Sequence, residues 1–168
     1  MRGIASLLAV AVLAGCGGHS TQKVPPGAVA VVDGHAITRA ALAAELARTK
    51  LAYSAKGQVF PARGTAAHDR LERAAAALLV DREHLEFEAE RLGISVSPVR
   101  VDAALRRLKQ TRFGGNEEAF RKQLRATGLT EAGVRQALRD QLLANAVGGR
   151  ARPAEVTYAP GFEPAGTD

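Results

Sequence analysis

From residue 28 onward, hydrophobic positions change period several times, and each change marks an element. Val29 to Val32, Asp33-Gly34 and His35 to Ile37 predict a small hairpin, because Asp-Gly supplies the positive φ angles of a type I′ turn. Thr38 is placed to cap a helix whose inner side carries Leu42, Leu46 and Tyr53 and which ends near Gly57. Residues 58–65, with Pro61 and Gly64, predict a loop. The longest helix then runs from Ala67 to Leu92, with Leu71, Leu78, Leu85 and Leu92 at seven-residue spacing, Ala75, Leu79 and Ala89 widening the stripe, and Gly93 as terminator. Four leucines among Glu and Arg on one helix favour packing inside a domain over a coiled coil.

Ser97-Pro98 sets a cap and a proline at the first position of a third helix, with Val101, Ala104, Leu105 and Leu108 as its apolar face. Gly114-Gly115 breaks the chain, and Asn116 caps a fourth helix carrying Phe120 and Leu124 and ended by Gly128. Thr130 caps a fifth with Val134, Leu138, Leu142 and Val147, closed by Gly148-Gly149. The fold class expected is mainly α: about five helices with a small N-terminal β-hairpin, over residues 28–149. Residues 16–27, with the Pro25-Pro26 pair, read as a tether, and residues 150–168, rich in Pro and Gly, as a flexible tail.

Composition changes the picture mainly at the amino terminus. The chain has 168 residues and a net charge of +6, carried by 18 Arg and 5 Lys against 17 acids, which by itself invites a nucleic-acid reading. Aromatics are only 4%, with no Trp, so stacking platforms have little raw material. Met1-Arg2 is a basic start, and Ile4 to Ala14 an apolar run of 11 residues, short of the roughly 20 that span a bilayer. That order reads as a secretion signal over residues 1–15. Leu13-Ala14-Gly15-Cys16 resembles the bacterial lipobox, which implies cleavage before Cys16 and acylation of its sulfur. Cys16 is the only cysteine, so the exported chain keeps no disulfide and no spare thiol. Multiple acyl chains anchor durably. The expected location is therefore the extracytoplasmic face of the cell membrane, lipid-anchored through Cys16, and no nucleic acid is an available partner there.

From Val31 to Leu143 the order of segments resembles the amino-terminal domain of the SurA/PrsA-type foldase chaperones of the bacterial envelope. The matching segments are Val32-Asp33-Gly34-His35-Ala36-Ile37-Thr38, then Leu85 to Ser97. Strongest is the run from Val101-Asp102-Ala103-Ala104-Leu105 through Phe113-Gly114-Gly115-Asn116 to Gly128-Leu129-Thr130-Glu131 and Leu138 to Leu143. The resemblance implies a helical domain that binds unfolded or partly folded exported polypeptides without nucleotide or other cofactor. Many relatives add a parvulin-type prolyl isomerase domain and a returning helix. Only about twenty residues follow the fifth helix here, so no isomerase activity is expected. A missing return helix leaves an apolar groove, to be filled by a client segment, a second copy of the chain, or the tail around Tyr158 and Phe162.

Sharper chemistry finds little support in the sequence. His84 and Glu88 stand one helical turn apart and His68 lies on the same helix, but two ligands do not close a metal site, and a solvated charged face is the expected role. Glu83, Glu86, Glu88 and Glu90 with Arg82 and Arg91 read as an ion-laced surface rather than acid/base catalysts. Phe120 is expected to plug a helix junction; Phe113 stays open between that role and gripping clients. No catalytic residue and no metal ligand is assigned, and the client-binding residues are not identified. The expected function is a membrane-anchored, ATP-independent holdase using the groove. The alternatives are an adaptor for one envelope partner or for a separate foldase subunit.

Overall fold

A computed structural model describes residues 23–164. Among these residues are five helices and a three-stranded antiparallel sheet: β1 (Ala28–Val32), β2 (His35–Thr38), α1 (Arg39–Ala55), α2 (Ala66–Arg91), α3 (Pro98–Phe113), α4 (Glu117–Thr127), α5 (Glu131–Val147) and β3 (Val156–Tyr158). The mainly helical expectation and the hairpin both hold. Asp33 and Gly34 take φ of 48° and 91°, the pair of positive values a type I′ turn needs, and Val32 stands opposite His35. The signal segment and Cys16 lie outside the described residues.

Caps set the helix boundaries. The hydroxyls of Thr38, Thr65 and Thr130 and the Asn116 amide oxygen accept from Ala41, His68, Gly133 and Ala119 backbone N–H groups respectively. Ser97 departs from expectation: it precedes Pro98 in extended conformation but makes no side-chain cap bond. Replacing Asn116 with alanine is expected to lower stability by about 1 kcal/mol, readable as a shift in the urea midpoint with unchanged slope.

The core has two centres. One joins Val29, Ala30, Val32 and Ile37 of the sheet to Leu42 of α1 and Ala75, Ala76, Leu79 and Val80 of α2. The other joins Ala89 and Val96 to Val101 of α3 and Leu143 and Val147 of α5. Helix α2 serves both, and the buried face therefore turns along its length. The predicted stripe gives only part of that face: Ala75, Leu79 and Ala89 are buried and Leu85 and Leu92 pack against the second centre, but Leu78 is 45% exposed while Ala76 and Val80 are buried. Phe120 of α4 is fully buried, edge-on to Phe113 at 5.5 Å and beneath the Lys109 ammonium, so it plugs the α3–α4 junction as expected and Phe113 joins it there.

The described part of the carboxyl-terminal segment, residues 150–164, corrects the reading of 150–168 as a flexible tail. β3 adds to the free edge of β1, giving the order β2-β1-β3, with Val32 opposite Val156 and Ala30 opposite Tyr158. Ala159 and Phe162 are buried in the first core centre. Burial, with Asp81 nearby, pushes the Tyr158 phenol above its ordinary pKa. The domain thus extends past residue 149, because β1 offers unpaired backbone groups that three extended residues can satisfy.

Candidate functional site

One face of α1 is set by residues at helical spacing, Arg39, Leu42, Ala43, Leu46, Ala47 and Lys50, and it forms one wall of a groove of about 890 Å³. The opposite wall is the 60–64 loop, with Phe60, Pro61 and Arg63, and the first turns of α2. Phe162 also lines the groove. Leu42 is buried, while Ala43 and Ala47 are exposed and keep the wall low. Three cations, Arg39, Lys50 and Arg63, and two acids, Asp69 and Glu72, line this largely apolar trough.

An aromatic ladder positions the loop wall. Tyr53 of α1 meets Phe60 edge-on at 5.5 Å, and Phe60 meets His68 of α2 at 5.9 Å, so one loop residue is clasped by both helices. Phe162, brought in by the carboxyl-terminal segment, lies beneath the Arg39 guanidinium at 5.4 Å. The carboxyl-terminal segment thus contributes Phe162 to the lining of the groove.

His68 is not part of a solvated face, as the sequence suggested, but is 5% exposed. Its Nδ1 lies 3.7 Å from Glu72, and His68, Asp69 and Glu72 hold potential ligand atoms within 4.8 Å of one another. Asp69 and Glu72 also line the groove, across from Arg39, Lys50 and Arg63, and the amino end of α2 disfavours a divalent ion beside them.

Glu88 is the larger correction. It is 1% exposed, and its oxygens accept from Arg91 at 2.6 Å, the Arg152 backbone N–H at 2.9 Å and the Arg152 guanidinium at 3.1 Å. These donors, Arg91 first, outweigh burial and hold its pKa at about 2. His84 does not join Glu88 at a metal. Its Nδ1 lies 2.5 Å from an Asp33 carboxylate oxygen and its Nε2 2.9 Å from the Arg152 carbonyl oxygen, so both ring nitrogens are engaged within the domain. Asp33 also accepts from the Glu155 backbone N–H. These polar contacts strap the carboxyl-terminal segment to the domain. The remaining acids expected on a charged surface do form it: Glu86 pairs with Arg139 and Glu83 with His35.

No helix of the described residues is long and apolar enough to cross a membrane. Compared with protein families, residues 1–148 match the SurA-like N-terminal domain. No curated protein and no solved structure matches the chain.

Proposed function

The chain belongs to the SurA-like N-terminal domain family, and from that premise we propose that it is a lipid-anchored, ATP-independent holdase of the cell envelope. Its clients are unfolded or partly folded exported polypeptides, and their apolar stretches lie in the groove between α1 and the 60–64 loop. The observation that carries this reading is the open trough itself: Leu42, Leu46, Phe60, Pro61 and Phe162 are gathered along one channel, with cations beside them. Such binding needs no catalytic residue. Its strength follows the apolar area covered, less the entropy of ordering a flexible client, which gives modest affinity and broad choice. The anchor is the Cys16 sulfur, and native protein is expected to carry acyl chains there, readable as added mass on the amino-terminal peptide.

The test is suppression of light scattering by an aggregating unfolded protein. The chain is expected to suppress it, and suppression is expected to weaken as salt rises where clients carry acidic flanks. Ala43→Glu with Ala47→Glu places two charges in the trough at positions that are exposed, so the fold is kept while the channel is blocked. About tenfold more protein is then expected for equal suppression. Full suppression by this double variant, or none by the parent chain, overturns the assignment.

A further inference from the structure

The charge of the molecule is concentrated. Residues 98–127, the span of α3 and α4, hold eight Lys and Arg against three acids, a surplus of +5 out of the chain's +6. On α3, Val99, Arg100, Ala103, Arg106, Arg107 and Gln110 recur at helical spacing, and all are exposed. This outward face runs about 16 Å along one straight helix. It contains no acid. Asp102, the one acid of α3, is taken by Arg135 of α5. Arg100, Arg106 and Arg107 have no acidic partner among the described residues, in contrast with Arg82, Arg91, Arg135 and Arg139, which are all paired. Beside the stripe opens a second cleft, of about 510 Å³, between α3 and α5. Arg100 and Arg107 stand on its rim, and Ala104, Leu108, Leu138 and Leu142 are among its lining. Val99 stands out at the head of the stripe, 71% exposed.

We propose that this face of α3, with the adjoining α3–α5 cleft, docks on the anionic phospholipid surface of a membrane, the arginines on headgroup phosphates and Val99 and the cleft at the acyl boundary. The proposal deepens the membrane part of the function proposed above and rests on it. Unpaired arginines in a row, an exposed aliphatic among them and an apolar cleft alongside combine the two attractions that hold a helix at a lipid interface. A second copy of the chain is a poor occupant, since it would set three arginines against three. Distance agrees as well: Gly27, at the edge of the folded part, is eleven residues from Cys16, so an anchored domain stays within about 40 Å of the bilayer even at full extension. The client groove and the docking face are lined by different elements, α1 and the 60–64 loop for one and α3 with α5 for the other. One can be occupied while the other is engaged.

Co-sedimentation with vesicles tests this, using the chain from Gly17, which keeps every described residue and has neither signal nor lipid. Binding is expected to vesicles containing phosphatidylglycerol, to fall steeply with salt, and to be much weaker to phosphatidylcholine alone. Arg100→Gln, Arg106→Gln and Arg107→Gln together are expected to weaken it on the order of a hundredfold, about fivefold for each arginine. The same three changes on α4, at Arg121, Lys122 and Arg125, are expected to weaken it far less, and circular dichroism of both variants to match the parent. Equal binding to the two vesicle types, or equal losses in the two triple variants, overturns the proposal. So does capture of polyglutamate by the α3 arginines without capture of vesicles, which reassigns the face to acidic polypeptides. Suppression of aggregation in vesicle-free solution is read separately, so failure of the docking face and failure of the holdase assignment are told apart.

Discussion

Glu88→Ala is expected to lower the melting temperature by on the order of 10 °C and to free the carboxyl-terminal segment, because it deletes a fully buried side chain and with it the acceptor shared by Arg91 and Arg152. Arg91 and Arg152 both converge on this one buried carboxylate, and Arg152 also donates its backbone N–H. Hydrogen exchange of the residues 156–158 should accelerate well before the rest of the domain unfolds, since their pairing with β1 is held from this side by the Arg152 contacts. The same carboxylate makes the fold acid-sensitive in a defined window. Its native pKa of about 2 lies below the ordinary 4.5, so its contribution is fully present above pH 4.5 and is lost as pH falls from there towards 2. Glu88→Gln should flatten that part of the stability profile. Protection of residues 156–158 unchanged in Glu88→Ala would show that backbone pairing alone holds the segment.

Gly128→Ala is expected to cost about 2–4 kcal/mol, a large share of the stability of a domain this size. Two independent penalties meet at this position. Gly128 takes φ of +68°, where an L side chain is strained, and an added Cβ would lie 2.6 Å from the Leu51 carbonyl oxygen and 2.7 Å from Ala52 Cα. Those atoms are backbone of α1, so no rotamer change relieves the clash. Gly114, with a similar φ of +60° and nothing near its Cβ position, supplies the control: Gly114→Ala should show only the strain, about 1 kcal/mol. Urea midpoints for the two variants give the difference directly, and equal midpoints would mean that α1 yields at Ala52.

The parts of the fold that depend on neighbours in sequence were readable in advance. Thr38, Asn116 and Thr130 cap because a side-chain oxygen needs only the next three residues to find its donor. Asp33-Gly34 turns the chain for the same local reason. The leucine stripe failed at Leu78 because a seven-residue spacing drifts about 20° per heptad on a straight helix, while the neighbours of α2 change from the sheet and α1 to α5. Glu88 and His68 are residue types that sit in water unless something distant pairs with or covers them. Arg152, 64 positions on, could not be assigned to Glu88 from spacing. β3 is three residues among Pro and Gly, too short to carry a period. The residues lining the groove were not identified from the sequence, since Phe60 becomes a wall only when Tyr53 and His68 close on it.

The placement of β3 beside β1 has a temporal corollary. A polypeptide leaves the ribosome, or a translocation pore, amino end first, so β1 is among the first elements to emerge and its second neighbour among the last; Asp33 waits for Glu155, 122 positions later. Until then one edge of the nascent sheet stays open and the first core centre lacks Phe162. Closure of this domain is therefore a late event in its biogenesis, and during that interval a protein read here as a guardian of unfinished chains is itself one of them.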